Sequence, residues 1–150
     1  MTARPSEAFS TLQRVRFGDL DAMQHMNNVE FLRFFETARI DYMLQLSPEH
    51  APTERRQFGF IFAECHISYR APAFFGDLIR THIWPSELKR SSLRLAFEMR
   101  AEQDDRLVAD GWGTLVGYDY AAGESRPIPD VLRERITPQI PAASASDAVG

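Results

Sequence analysis

The sequence predicts an α+β fold in which one antiparallel β-sheet is wrapped around a single long central α-helix. Three features carry that reading. A helical run from Asn27 or Asn28 to Leu46 is apolar on more than one narrow face. Between Phe58 and Tyr120 the chain reads as four β-rich segments. The turns between them are short, which favours antiparallel neighbours.

Each element follows from local pattern. "LQRVRFGDL" (12–20) alternates imperfectly and reads as a first strand. Asn27 or Asn28 is a suitable helix N-cap, and Glu30 stands three residues after Asn27, as in a capping box. Leu32, Phe35, Ala38, Tyr42, Met43 and Leu46 recur at helical spacing. Phe31, Phe34 and Ile40 widen the apolar surface, so the helix should be wrapped by other structure, and Ser47-Pro48 ends it. "FGFIFAECHISYRAP", "GDLIRTHIWP", "SSLRLAFEMRAE" and "RLVADGWGTLVGYDY" follow as strands joined in a meander. In the last, Gly111, Gly113 and Gly117 share a face where a helix or another backbone can come close. A strand, a long helix and four antiparallel strands make a hot-dog arrangement.

At 150 residues the chain fits one domain with a true core, expected over 11–137 with flexible termini at 1–10 and 138–150. The net charge of −4 gives no reason to expect a nucleic-acid partner. A single cysteine, Cys65, excludes an internal disulfide and a multi-cysteine zinc site. There is no run of 18 apolar residues and no apolar signal segment at the N-terminus, so no membrane span and a cytoplasmic location are expected.

The chemistry concentrates in "FGDLDAMQHMNNVEF" (17–31), which sets two acids, a histidine and two asparagines before the helix. The free N–H groups and positive dipole end of a helix start can polarise a carbonyl and hold the oxyanion formed when it is attacked. A nearby carboxylate can act as nucleophile or deprotonate water. Asp, Asn and His before a helix are also ordinary capping and turn residues, and on the residues alone that role stands first. Asp19 and Asp21 should face one side if the strand persists, and the pattern does not choose between them. His25 could orient a substrate. His50, His66 and His82 stand at no metal-ligand spacing, so no metal is expected. Cys65 and His66, adjacent on a strand, point to opposite faces, and Cys65 reads as a small buried hydrophobe. Lys89 and Arg90 at a hairpin tip, with Ser91 beside them, read either as a solvated turn or as a grip for phosphates. Arg55 and Arg56 offer a second basic loop.

"VRFGDLDAMQHMNNVEFLRFFETAR", "ISYRAPAFFGDLI" and "KRSSLRLAFEM", in that order, resemble the hot-dog thioesterases of the 4-hydroxybenzoyl-CoA thioesterase type over roughly 12–136. The resemblance implies an acyl-CoA thioester hydrolase that uses no cofactor, CoA being part of the substrate. It implies Asp21 rather than Asp19 as the catalytic carboxylate, and the thioester carbonyl near Asn27 and Asn28. Lys89 and Arg90, with Ser91, would grip the CoA phosphates. A homodimer paired edge to edge is implied, alone or within a tetramer, with the active site between subunits. "DLDAMQHMNN" also resembles plant-type acyl-carrier-protein thioesterases, in which His25 matches a functional histidine and Met23 replaces an asparagine. The competing class is a non-catalytic acyl-CoA binding or sensing protein on the same fold. A hot-dog dehydratase would need an acid–base pair that the sequence does not show. The acyl group would meet an apolar pocket lined by residues such as Phe31, Phe60 and Phe74.

Overall fold

Alternating apolar residues in four long segments make one twisted sheet, and the helix lays its apolar stripe across it. The computed structural model describes residues 3–48 and 58–142. In order come β1 (Phe9–Arg14), a 3-10 turn (Phe17–Asp19), α1 (Asn28–Leu46), β2 (Phe58–Tyr69) and β3 (Leu78–Leu88). Then follow β4 (Ser92–Ala101), β5 (Arg106–Asp119), the two-residue β6 (Glu124–Ser125), α2 (Asp130–Ile136) and a last 3-10 turn (Thr137–Gln139). The arrangement is the expected hot-dog fold: an antiparallel sheet with a long helix packed against it.

The strand order is β1-β3-β4-β5-β2, with β6 beside β5. Only β3, β4 and β5 form the expected meander. β2 pairs with β5, so residues 70–77 carry the chain past the ends of β5 and β4 to reach β3. That connection contains Pro72 and Gly76, the latter at φ 83°, and it resembles a simple turn in sequence alone. β2 consequently forms an edge of the sheet. Residues 61–66 are exposed, Cys65 among them, which corrects the expectation of a buried thiol.

The helix is covered on one side rather than wrapped. Phe31, Phe34, Phe35, Ala38, Tyr42 and Leu46 are buried, whereas Leu32 is 37% exposed and Ile40 half-buried on the outer side. Phe35 stacks on Phe97 of β4 with ring centroids 4.4 Å apart. Close approach is possible because β5 has glycine beneath the ring. A Cβ at Gly113 would stand 2.7 Å from both Phe35 Cε1 and Phe62 Cε2. Asn27 caps α1, its Oδ1 accepting from the Val29 N–H at 3.1 Å. The capping box is not completed, because Glu30 turns to Arg33 at 3.7 Å and sets its carboxyl beside Asp19.

Residues at both ends of the described chain hold structure outside 11–137. Phe9 and Ser10, placed among the flexible residues 1–10, pair with Ile83 and His82. At the other end, Gln139 accepts a 3.0 Å hydrogen bond from the Tyr42 hydroxyl, and Ile140 packs on the core. α2 adds Leu132 and Ile136 to that core.

Candidate active site

The first strand stops at Arg14, so Asp19 and Asp21 do not share a strand face. Asp19 closes the 3-10 turn and is 2% exposed. Its Oδ2 accepts from the Arg16 backbone N–H at 2.8 Å and from Arg16 Nε at 3.3 Å, and its Oδ1 from Nη2 at 3.2 Å. Burial pushes the Asp19 carboxyl up, but the Arg16 hydrogen bonds and charge outweigh it and hold the carboxyl below the ordinary carboxylate range. Asp19 is thereby committed to structure.

Asp21 begins a tight loop. Its N–H donates to the His25 carbonyl at 3.2 Å, and its carbonyl accepts from the Gln24 N–H at 3.0 Å. Gln24 takes the left-handed conformation at φ 64°, and Leu20 and Met26 bridge across the base. The Met26 N–H donates to the Ala73 carbonyl at 2.7 Å, with both residues buried, and the Asn27 N–H donates to the Asp19 carbonyl at 2.9 Å. The loop is held on two sides. Half-buried Asp21 accepts one hydrogen bond among the described residues, from the Met23 N–H to Oδ1 at 2.9 Å, which leaves Oδ2 available. His25 is half-buried at the far side of the same loop.

The start of α1 is three residues beyond His25. The Val29 N–H is taken by Asn27 and the Glu30 N–H by the Asn27 carbonyl, while the Asn28 N–H has no partner among the described residues. Tyr69, at the end of β2, donates its hydroxyl to the Asn28 carbonyl at 3.2 Å and sets its ring edge-on to Phe31 at 5.3 Å. The following loop is fastened by Asp77. That carboxylate accepts from the Phe74 N–H at 2.9 Å, from Arg106 at 3.0 Å and from Gln103 at 2.5 Å. A free carboxylate oxygen and an uncapped helix N–H within one pinned segment are the parts needed to attack and polarise an activated carbonyl.

The basic tip lies elsewhere. Lys89 and Arg90 are exposed on the β3–β4 hairpin, at the end of the sheet where Ser92 pairs with Val116 and Val116 with Ile61. Tyr69, which touches the helix start, lies eight residues along β2 from Ile61. At about 3.3 Å per residue, the tip and the helix start are separated by about 25 Å within one chain. Asp21, His25, Asn27 and Asn28 are brought together; Lys89, Arg90 and Ser91 are not brought to them. Phe31 and Phe74 lie at the Asp21 end and Phe60 at the tip end, so these three do not line one pocket within the chain. A cleft of about 840 Å³ opens at the C-terminal end of α1, lined in part by Phe9, Leu46, Trp84 and Gln139, and holds none of the expected site residues. Arg55 and Arg56 lie outside the described residues. Among the described residues, no three His, Cys, Asp or Glu side chains are grouped to hold a metal, and no helix is long and apolar enough to cross a membrane.

Residues 15–136 match the thioesterase-like superfamily. The chain belongs to that superfamily. With it comes the expected enzyme class, a thioesterase. The chain is 30% identical over 123 residues to "Long-chain acyl-CoA thioesterase FadM" of Escherichia coli, covering 82% of this chain and 92% of that protein. It is 26% identical over 121 residues to "Acyl-CoA thioesterase YbgC" of Haemophilus influenzae, covering 80% and 86%. Among solved structures, a thioesterase-superfamily protein from Jannaschia sp. superposes with a TM-score of 0.81 at 27% identity, covering 95% of this chain and 99% of that one.

Two residues that hold the candidate site together escaped the sequence reading. Tyr69 reaches Asn28 across 41 positions, and Asp77 joins Arg106 across 29. "SYRAP" and "GD" mark both places, but only the strand order shows what they touch.

Proposed function

We propose that this thioesterase hydrolyses acyl-CoA, with Asp21 as the catalytic carboxylate. The observation that carries the proposal is the pairing of a committed Asp19 with an available Asp21, in a loop ending at the unpartnered Asn28 N–H. The thioester carbonyl oxygen accepts from that N–H, and Asn27, as the helix cap, keeps the helix start in shape. Asp21 then takes a proton from water, whose oxygen adds to the carbonyl carbon, or adds its own oxygen to give an anhydride that water cleaves. In either course the C–S bond breaks, the sulfur leaves as a thiolate and takes up a proton, and the acid is released. His25, joined to Asp21 through the loop backbone, positions the acyl-carrier end of the substrate.

The phosphates of CoA fall to Lys89 and Arg90, with the Ser91 hydroxyl assisting. Their distance from Asp21 is bridged by a homodimer. β2 offers a long unpaired edge that includes exposed Ile61 and Phe62, a surface suited to a second copy of itself. A two-fold antiparallel pairing of β2 edges reverses the second copy and brings its Lys89–Arg90 tip to the Asp21 end of the first. The curated relatives are named for acyl-CoA generally or for long chains, so the 4-hydroxybenzoyl-CoA type supplies the mechanism in this proposal and not the acyl group.

The test is thiol release from a panel of acyl-CoAs by wild type and Asp21→Asn, both shown to be folded and of equal oligomeric size. Turnover by wild type that collapses in the variant supports the assignment. Full activity in the variant removes Asp21, and tight binding with no turnover by wild type moves the chain to the sensing class.

A further inference from the structure

The Lys89–Arg90 tip is more ordered than an exposed hairpin needs to be. Arg133, on α2, donates Nη2 to the Lys89 carbonyl at 2.9 Å and to the Arg90 carbonyl at 2.9 Å. The Arg90 carbonyl also accepts from the Ile128 N–H at 2.9 Å, and the Ser91 carbonyl from the Gly117 N–H at 2.8 Å. All three carbonyls of the tip are thus drawn toward α2 and β5. The peptide N–H groups of Arg90 and Ser91 have no partner among the described residues, nor has the Arg90 guanidinium. Among the described residues the Lys89 ammonium makes only an exposed 3.7 Å contact with Glu87. α2 is a firm base for this hold, because the neighbours of Arg133 in the chain include the fully buried Leu132 and Ile136.

We propose that Arg133 is a positioning residue for an anion site formed by the tip. Its Nη2 donates to two successive carbonyls, fixing the backbone so that two cations and two peptide N–H groups are left for phosphate oxygens. A guanidinium suits this bridging because the two hydrogens of Nη2 are fixed in its plane and point at two acceptors, whereas those of a lysine ammonium rotate. The ordering entropy of the tip is met on folding rather than on substrate binding, and affinity for the phosphates rises accordingly. This inference rests on the reading of Lys89 and Arg90 as the CoA phosphate grip.

The test is equilibrium binding of coenzyme A and of pantetheine, which lacks the nucleotide and its phosphates, to four proteins: wild type, Arg133→Gln, Arg133→Lys and Lys89→Ala/Arg90→Ala. Arg133→Gln is expected to weaken coenzyme A about fivefold and to leave pantetheine unchanged, with Arg133→Lys between it and wild type. The double variant is expected to weaken coenzyme A more than tenfold. If the double variant loses coenzyme A affinity while Arg133→Gln keeps it, Arg133 is not the positioning residue and the tip remains the phosphate grip. If the double variant binds coenzyme A as wild type does, the grip itself is misplaced and the inference falls with it. Equal loss of both ligands in Arg133→Gln marks a general structural role and also overturns it, and Arg133→Lys supplies the same comparison should the glutamine variant be unfolded.

Discussion

Gly113→Ala isolates the contact on which the seating of α1 depends. The new methyl would lie 2.7 Å from Phe35 Cε1 and from Phe62 Cε2, and 3.0 Å from Phe35 Cζ. Carbon atoms in contact settle at about 3.5 Å or more, so two rings must retreat by about 0.8 Å. Phe62 can move, being on the exposed edge strand. Phe35 cannot easily do so, because its other side is stacked on Phe97 at 4.4 Å and the ring is fully buried. Overpacking of this kind costs about 1–3 kcal/mol, against a gain of about 0.4–1 kcal/mol from stiffening the unfolded chain. A net loss near 1.5 kcal/mol is expected, which lowers the urea midpoint by about 0.7 M for a slope of about 2 kcal/mol/M. Gly18→Ala is the control, since a Cβ there meets nothing within 4 Å. A Gly113→Ala midpoint indistinguishable from that of Gly18→Ala would refute the reasoning about how the helix is seated.

Other consequences are accessible to simpler experiments. Asp19→Asn should cost about 1–2 kcal/mol at neutral pH while sparing thioester cleavage. Because the folded Asp19 carboxyl titrates below its unfolded value, the stability gap from wild type should be full above the ordinary carboxylate range. It should close as pH falls through the lower folded value, as acid denaturation curves of the two proteins would show. Burial pushes the Tyr42 phenol well above its usual titration, so the folded state keeps the proton that the unfolded chain loses first. Wild type should therefore lose stability in alkali faster than Tyr42→Phe, although at neutral pH the variant lacks the bond to Gln139 and is weaker by about 1 kcal/mol in chemical denaturation. Finally, Asp21→Asn and Lys89→Ala/Arg90→Ala, mixed as equal dimers and allowed to exchange, should regain about a quarter of wild-type activity at low substrate. Half of the dimers are then mixed and each holds one intact site. No recovery, with subunit exchange demonstrated, would place both parts of the site in one chain.

The elements most legible in the sequence were those set by neighbours a few positions apart. The Asn27 cap, the Ser47 end of the helix and the clean alternation of β4 all follow local rules, and each stands where the pattern put it. The glycines of β5 also told correctly of a close approach, since Gly113 is where Phe35 lies. What was not legible depended on partners distant in the chain. β2 has the apolar content of an inner strand, and nothing within it reveals that it pairs only with β5 and leaves Cys65 exposed. The engagement of Asp19 was hidden in the same way: Arg16, three residues before it, folds over it only because the strand has already ended. Lys89 and Arg90 were visible as a basic tip, but their distance from Asp21 follows from register, which no single strand encodes.

The clamp on the Asp21 loop has a kinetic meaning. Its base is bridged between Leu20 and Met26, and Met26 is tied to Ala73 across buried surface. Only the few residues between those anchors are free to move, and Asp21 and Gln24 are joined within them. On the proposed assignment of Asp21, a site held in this way meets its substrate in working order, with little backbone left to rearrange as charge develops on the carbonyl oxygen. Amide exchange at Met26 should then be as slow as in the strands of the core, and turnover should be paced by arrival and departure of the substrate rather than by ordering of the loop.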